Sequence, residues 1–406
     1  MDRYTTLKYV GNKLEINISW KYYLISILLS SRILDFVRLP AAYYYIIIIL
    51  ILVRHILTNE KLKILNYETL LFVTVAFLSL WLNEIDPFFR SYERYGSFLL
   101  NLAVFGPIIY SKSLIKLRLV LLEGLCQVFV SITVFSFAGL ICGFLPLAGI
   151  GGFQGITVHA MTLSALAGIS ILYLVFKYST DSKSILFKRA VLALILICCF
   201  VLLISASRAA LAGTILSCLI LLYKINRGKL LNVMKVALIT VLLVLLSFPI
   251  WSEYSERITH KFNASLEKDN IFSSRENLWE ARIKEFKTSP IYGIGFGNLL
   301  AEYNDYGINE ETGGIETGSS WGMVLSMTGI IGFTLFLLLN FKSINQLLKI
   351  NGIISPSLVV ALLTFFIIHM VFEGYVFASG NILMIFFWLL LSVSDYYYLV
   401  SRNSKI

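Results

Sequence analysis

The stretch LLISASRAALAGTILS carries a single charged residue, Arg208, in a segment that is otherwise suited to lipid. Between Ala190 and Tyr223 no other side chain is charged. A guanidinium at a membrane edge either extends toward the lipid headgroups at little cost or binds an anion. Arg208 lies at a predicted turn between two apolar spans and is therefore a candidate anion-binding and catalytic residue.

A second arginine, Arg275, lies at the start of the predicted helix SSRENLWEARIKEF. Ser273, with Glu276 three residues later, forms a capping-box pattern that predicts a helix N-terminus. Pro290 predicts that this helix ends near Phe286. Arg275 is then expected in the first turn, where the helix dipole and the backbone N–H groups both favour a bound anion.

Three long side chains of this helix recur at helical spacing and are expected on one face: Arg275, Trp279 and Arg282. Arg275 is a candidate catalytic residue, and Arg282 is a candidate substrate-binding residue. Trp279 could stack on a sugar ring or could pack the segment onto the membrane. Arg257, upstream in the same polar segment, is a further candidate for substrate binding.

Three other side chains could accept a proton: His159, Glu316 and Glu373. A histidine or a carboxylate can deprotonate a hydroxyl, while two arginines offer bidentate contacts to the oxygens of a pyrophosphate. Together these groups suit glycosyl transfer from a lipid-linked donor without a metal. Structural roles are the alternative, since His159 stands at a helix end and Glu373 could be only a partner of Arg208.

The elements that must position these residues are apolar helices. The chain has 406 residues, of which 58% are hydrophobic and 14% charged, whereas soluble domains average about 25% charged. Runs long enough to cross a bilayer core of roughly 30 Å recur along it. Twelve spans are predicted, near 20–37, 41–57, 69–84, 97–111, 118–141, 158–177, 189–206, 208–224, 234–251, 321–341, 356–374 and 381–399. The predicted class is an all-α polytopic integral membrane protein.

The distribution of lysine and arginine predicts the orientation of these spans. Positive residues cluster in alternate connections and in both tails, whereas the connections 144–157 and 373–381 contain none. This pattern predicts cytoplasmic N- and C-termini. The net charge of +10 is then a signature of membrane insertion, and nucleic acid is not an expected partner.

One long polar segment interrupts the apolar pattern. Residues 1–251 are expected to form spans one to nine, 252–320 a large loop with short helices on the outer side, and 321–406 spans ten to twelve with a tail. The loop has seven basic and twelve acidic residues, and a connection of this length is usually functional. Its stretch PIYGIGFGN lacks the flanking strand and helix of a phosphate loop, so its glycines are expected to allow a tight return of the chain.

Cysteine usage points to no cofactor. The five cysteines lie in apolar segments without paired spacing or a nearby histidine cluster. This arrangement argues against a disulfide framework and against a zinc site.

Three motifs resemble the O-antigen polymerase and O-antigen ligase superfamily. They are SASRAALAG at an outer turn, SSRENLWEARIKEFKTSPIYGIGFGN in the loop, and GSSWGMVLSMTGIIGF at its close. The layout is also similar, with about twelve spans and one large loop between the ninth and the tenth. The resemblance is good over residues 140–345, and in the N-terminal third it rests on hydropathy.

The resemblance implies a glycosyltransferase of the bacterial inner membrane. Such an enzyme acts at the periplasmic face, which makes 252–320 a periplasmic loop, on glycans linked to undecaprenyl pyrophosphate. The two arginines of the family match Arg208 and Arg275, which would bind the pyrophosphate and stabilise the leaving group. The stretch GFQGITVHA resembles the glycine-rich loop of the family and would bring His159 near the site. The bilayer and a polysaccharide chain-length regulator are further candidate partners.

One departure from the family pattern favours a polymerase over a ligase. The resemblance implies that ligases carry a histidine about eleven residues before the GIIG turn, and counting back from Gly329 gives Gly318. A polymerase of polysaccharide repeat units is therefore the first hypothesis, with Glu316 or Glu373 as base. A ligase that transfers glycan to lipid A core is the alternative.

A lipid-linked glycan flippase is the alternative from another class. A transporter should carry ionisable residues near the midplane of several spans. The middles of most predicted spans carry no such residue, apart from Arg32, Asp35 and Glu123.

Overall fold

The computed structural model of the protein describes residues 6–10, 13–36, 40–57, 63–146, 152–181, 184–226, 275–304, 308–309, 314–350 and 354–403. The predicted ninth span at 234–251 lies outside the described residues, and so do Arg257 and Ser273.

Helices dominate the described residues. The helices are α1 (Trp20–Ser30), α2 (Ala41–Ile56), α3 (Tyr67–Leu82), α4 (Ser91–Val104), α5 (Lys112–Ile141), α6 (Ala160–Thr180), α7 (Ile185–Ile204), α8 (Arg208–Ile225), α9 (Glu276–Thr288), α10 (Ser320–Lys349), α11 (Pro356–His369) and α12 (Ile382–Asn403). Short antiparallel pairs join β1 (Thr6–Val10) to β2 (Lys13–Asn17), β3 (Lys63–Ile64) to β4 (Ile109–Tyr110), and β5 (Ile308–Asn309) to β6 (Gly314–Ile315).

Six of the described helices are long and apolar enough to cross a membrane: α5, α6, α7, α8, α10 and α12. The helices α2, α3 and α11 are apolar but shorter. Within a bilayer a helix satisfies all of its own backbone hydrogen bonds, so continuous apolar stretches of this length fold as helices. The protein is therefore an all-α, multi-pass membrane protein.

Several helix ends differ from the predicted spans. The helix α1 stops at Ser30, because the chain turns to pair with the segment before α6: the N–H of Val158 donates to the carbonyl of Ile33 at 2.9 Å. The helix α4 is displaced toward the N-terminus relative to the predicted span 97–111 and ends ahead of Pro107, which lacks a backbone donor. The helix α11 ends at His369, so Glu373 lies in the following connection.

The chain forms two compact units, each assembled from three segments. Unit 1 comprises Met1–Leu39, Leu119–Ile271 and Leu347–Ile368, and unit 2 comprises Pro40–Arg118, Phe272–Gln346 and His369–Ile406. Of the candidate residues, Arg208 and His159 belong to unit 1, whereas Arg275, Trp279, Arg282, Glu316 and Glu373 belong to unit 2.

In unit 2 the helix α10 is broken at Gly329, which has φ 63° and ψ −168°. The stretch PIYGIG packs into this break, because the N–H of Ile330 donates to the carbonyl of Pro290 and the N–H of Ile294 donates to the carbonyl of Ser326, both at 2.9 Å. A Cβ on Gly293 would lie 2.4 Å from the backbone of Met327. Glycine therefore allows two backbones to touch, which agrees with the tight return expected of this stretch.

An aromatic cluster anchors the segment after α9 within unit 2. The Phe296 ring lies 4.7 Å from Phe377 and 5.2 Å from Phe98, between ring centroids. The indole of Trp388 donates to the carbonyl of Val376 at 3.1 Å. Burying an aromatic side chain contributes about 1.5–3 kcal/mol, so these contacts hold the chain after α9 and after Glu373.

In unit 1 the glycine-rich segment packs against the turn between α7 and α8. The N–H of Phe153 donates to the carbonyl of Ile204 at 3.1 Å. Gly152 has φ 93°, and a Cβ there would lie 2.5 Å from the carbonyl oxygen of Ser205. The segment that leads to α6 is thereby fixed to the turn that leads to α8.

Candidate functional site

The helix α9 places Arg275 at its N-terminus. Arg275 is the N-cap residue and Glu276 the first residue of the helix. Ser273, the predicted cap, lies outside the described residues, and Arg275 precedes the first turn in which it was predicted. The helix ends at Thr288, two residues before Pro290, because a proline ring disfavours helical conformation in the residue before it.

The guanidinium of Arg275 lies between two carboxylates that the chain brings from far away. Its Nη1 donates to Glu316 Oε1 at 2.9 Å, and its Nη2 donates to Glu373 Oε1 at 2.8 Å. The Arg275 side chain is 12% exposed. Three of the predicted catalytic residues therefore meet in unit 2 as one charged cluster.

Of the two carboxylates, that of Glu373 is held more firmly in place, because the first residue of α10 makes hydrogen bonds to the backbone of Glu373. The Ser320 hydroxyl donates to the carbonyl of Glu373 at 2.7 Å, and the Ser320 N–H donates to the same oxygen at 3.0 Å. The same hydroxyl accepts from the N–H of Tyr375 at 3.0 Å. Ser320 thus ties the connection after α11 to the start of α10, a role that the sequence motif GSSW did not suggest.

The environment of Glu373 brings the pKa of its carboxyl close to neutral pH. Burial raises the pKa of this carboxyl, the Arg275 guanidinium lowers it and the nearby Glu316 charge raises it, which brings the pKa to about 7. A side chain with such a pKa can exchange a proton efficiently at physiological pH. Glu373 is therefore the residue of the cluster best suited to acid–base chemistry.

Two further polar groups of unit 2 lie beside the cluster. The Nδ1 of His369 lies 3.2 Å from the hydroxyl oxygen of Tyr375, and both side chains are buried. Burial and the Glu373 charge raise the pKa of Tyr375 well above its usual range, so its hydroxyl keeps its proton. Tyr375 was not among the predicted site residues, although it lies only two residues after Glu373.

Gly318 has a backbone conformation that suits glycine. Its φ is 69°, and a Cβ there would lie 2.6 Å from the Cβ of Leu278 on α9. Non-glycine residues rarely adopt positive φ, and this contact leaves no room for a side chain. A histidine at this position would displace α9 and the neighbouring Arg275.

The other two predicted residues of α9, Trp279 and Arg282, differ in burial and in their contacts. Trp279 is half-buried, with its ring centroid 5.8 Å from that of Phe372. Arg282 is 1% exposed, and its Nη1 lies 2.7 Å from Glu285 Oε2. The Asn304 side chain contacts both charged groups and donates to Glu285 Oε1 at 2.8 Å. Arg282 therefore links α9 to the segment that follows it, through Glu285 and Asn304.

Burial dominates the electrostatics of this second ion pair. It lowers the pKa of Arg282 and raises the pKa of Glu285, while the partner charge opposes each change. Removing one partner of such a pair leaves the other charge buried and uncompensated. The pair is thus a structural element of the loop that positions Arg275.

We expect Arg282→Ala to destabilise the protein by about 3–5 kcal/mol, because Glu285 would keep a buried charge. Thermal unfolding of the purified protein in detergent measures this loss. The matched control is Glu280→Ala, which removes an exposed ion pair with Lys284 on the same helix. That change should cost at most about 1 kcal/mol. Equal shifts of the two unfolding midpoints would show that the buried Arg282–Glu285 pair stabilises the protein no more than the exposed pair does.

In unit 1, Arg208 begins α8 and His159 caps α6. The cap of α8 is Ser207, whose side chain accepts from the N–H of Ala210 at 3.4 Å. The Nδ1 of His159 accepts from the N–H of Met161 at 3.2 Å, and its side chain is exposed. Both residues therefore stand at helix ends, as predicted. Arg257 lies outside the described residues.

The fold and the cluster define a class of protein: a helical multi-pass membrane protein with an arginine held between two carboxylates next to the start of a spanning helix. The sequence model of a protein family described as O-antigen ligase matches residues 191–337, about a third of the chain. This match confirms the resemblance to the O-antigen polymerase and ligase superfamily that the motifs indicated. No curated protein matches the chain.

Proposed function

We propose that the protein polymerises oligosaccharide repeat units linked to undecaprenyl pyrophosphate, at the periplasmic face of a bacterial inner membrane. The observation that supports this proposal best is the cluster of Arg275 with Glu373 and Glu316. It combines a phosphate-binding cation with a carboxylate whose pKa is about 7. The family match supports a membrane enzyme of polysaccharide biosynthesis.

The proposed reaction is a single displacement. The hydroxyl oxygen of the acceptor sugar attacks the anomeric carbon of the growing chain, while its proton passes to the Glu373 carboxylate. The bond from that carbon to the phosphate oxygen breaks, and its electron pair leaves with undecaprenyl pyrophosphate. Arg275 stabilises the charge that develops on the leaving group. Inversion at the anomeric carbon follows from one displacement, and the arginine charge replaces a metal.

Polymerisation is proposed ahead of ligation because of Gly318. The histidine that the resemblance implies for ligases would fall at this position, where the backbone conformation and Leu278 exclude a side chain. In the proposed reaction Glu373 takes the place of that base. The candidate roles of Arg208 in pyrophosphate binding and of His159 near the site remain predictions.

A ligase that transfers finished glycan to lipid A core is the second candidate. The description of the matching family as O-antigen ligase favours it. Both reactions transfer a glycan from the same type of lipid-linked donor, so the cluster around Arg275 serves either one. The two reactions differ in the acceptor, and the glycan found on the cell surface shows which acceptor was used.

The test is gel analysis of surface glycan from a strain that lacks this gene. For a polymerase we expect the ladder to collapse to core that carries one repeat unit, because the ligase of the cell still works. Bare core with long glycan accumulating on the lipid carrier would identify a ligase instead. Bare core with single units trapped inside the cell would contradict both and indicate a flippase.

A further inference from the structure

The two carboxylates on Arg275 differ in exposure. The Glu316 side chain is 63% exposed, whereas that of Glu373 is 20% exposed. The Glu373 backbone is held by Ser320 through both its N–H and its hydroxyl. Among the described residues, Arg275 therefore pairs on Nη2 with the mostly buried Glu373 and on Nη1 with the water-facing Glu316.

We propose that Glu316 occupies on Arg275 the place of a substrate phosphate oxygen, and that binding of the lipid-linked pyrophosphate displaces it while Glu373 stays. This inference rests on the proposed function. It assigns Glu316 a role other than proton transfer: the carboxylate is an exchangeable partner that competes with the substrate for Nη1 of Arg275.

Exposure decides which carboxylate leaves. An ion pair with a mostly exposed partner contributes little, because water solvates the carboxylate once the pair opens. Breaking the pair with Glu373 would leave that carboxylate largely buried and is much less favourable. The incoming anion should thus replace Glu316 first.

Charge favours the exchange as well. A pyrophosphate diester carries two negative charges near neutral pH, compared with one on Glu316, and phosphate oxygens match the two-pronged guanidinium geometry. Glu316 and a bound pyrophosphate would also repel each other across Arg275. Until the pyrophosphate displaces it, Glu316 keeps the guanidinium oriented, and weakly binding anions must compete with it.

The experiment compares binding of undecaprenyl pyrophosphate by wild type and Glu316→Gln, each in nanodiscs. Glutamine keeps the shape but removes the competing charge, so we expect its dissociation constant to fall about two- to fivefold, the range for one exposed ion pair. Glu302→Gln is the matched control, since Glu302 is an exposed carboxylate in the same loop. It should leave binding unchanged.

The outcomes separate this inference from the proposed function. Unchanged or weaker binding by Glu316→Gln would overturn the exchange, and the proposed function would stand if Arg275→Ala abolishes binding. Equal tightening by Glu302→Gln would also overturn it, because a general charge effect would then suffice. If neither wild type nor Glu316→Gln binds the probe, both the exchange and the proposed function fail.

Discussion

Arg275→Ala is expected to reduce glycan transfer by about 100-fold or more. Removing one preorganised donor to a developing anion costs about 100- to 1,000-fold, and here a second effect adds to it. The Glu373 carboxylate would lose its buried cationic partner, so its pKa would rise above about 7 and less of the base would be ionised at neutral pH. The measurement is the initial rate of chain extension by the purified protein with lipid-linked repeat units.

Two further variants separate loss of the Arg275 contacts from a general loss of positive charge. Lys287→Ala removes an exposed positive charge from the same helix and should leave the rate unchanged. Arg275→Lys keeps the charge but loses the geometry that contacts two acceptors at once, so it should recover only part of the activity. Full activity in the lysine variant would indicate a general electrostatic role, and full activity in the alanine variant would refute the assignment.

Glu373→Gln is expected to lower the rate by about 100- to 10,000-fold, the range for loss of a general base. Glutamine preserves the size of the side chain and can still accept a hydrogen bond from Arg275. The protein should therefore remain folded, with a thermal unfolding midpoint close to that of wild type. Retention of more than half of the wild-type rate would exclude Glu373 as the base and leave Glu316 or His159 as candidates.

The pH dependence of the rate gives an independent check on Glu373. A general base must be ionised, so the wild-type rate should rise with pH through about 7, the pKa of Glu373. Glu316→Gln removes a negative charge that raises this pKa, so the rise should move to lower pH. In Glu373→Gln the rise should disappear from the residual activity. A persistent rise there would assign it to another group.

The effects of Arg275 and Glu373 should not be additive, because the two side chains are in contact. In the double variant Arg275→Ala with Glu373→Gln, no buried carboxylate remains to be deprived of its partner. We therefore expect the double variant to lose less than the product of the two single losses. Strictly multiplicative losses would show that the two groups act independently.

Local patterns in the sequence determined the class of the protein and much of its secondary structure. Apolar runs specify helices in lipid because every backbone group must find a partner within the segment, and the predicted span 208–224 lies entirely within α8. The turn before Arg208 and the helix after Arg275 also follow from short-range signals. The N-cap position of α9 did not, because the capping-box pattern points to a serine two residues upstream, whereas the helix begins directly after Arg275.

The tertiary structure decided which charges meet. Arg275 contacts carboxylates 41 and 98 residues away in sequence, and helical spacing carries no information about such distances. Arg282 is a second example. Its spacing predicted a place on the same helix face as Arg275, but its contacts with Glu285 and Asn304 bury it instead. Long-range pairing depends on how the segments pack around the break in α10. Sequence therefore identified the chemistry available to the protein, and packing selected the groups that can act together.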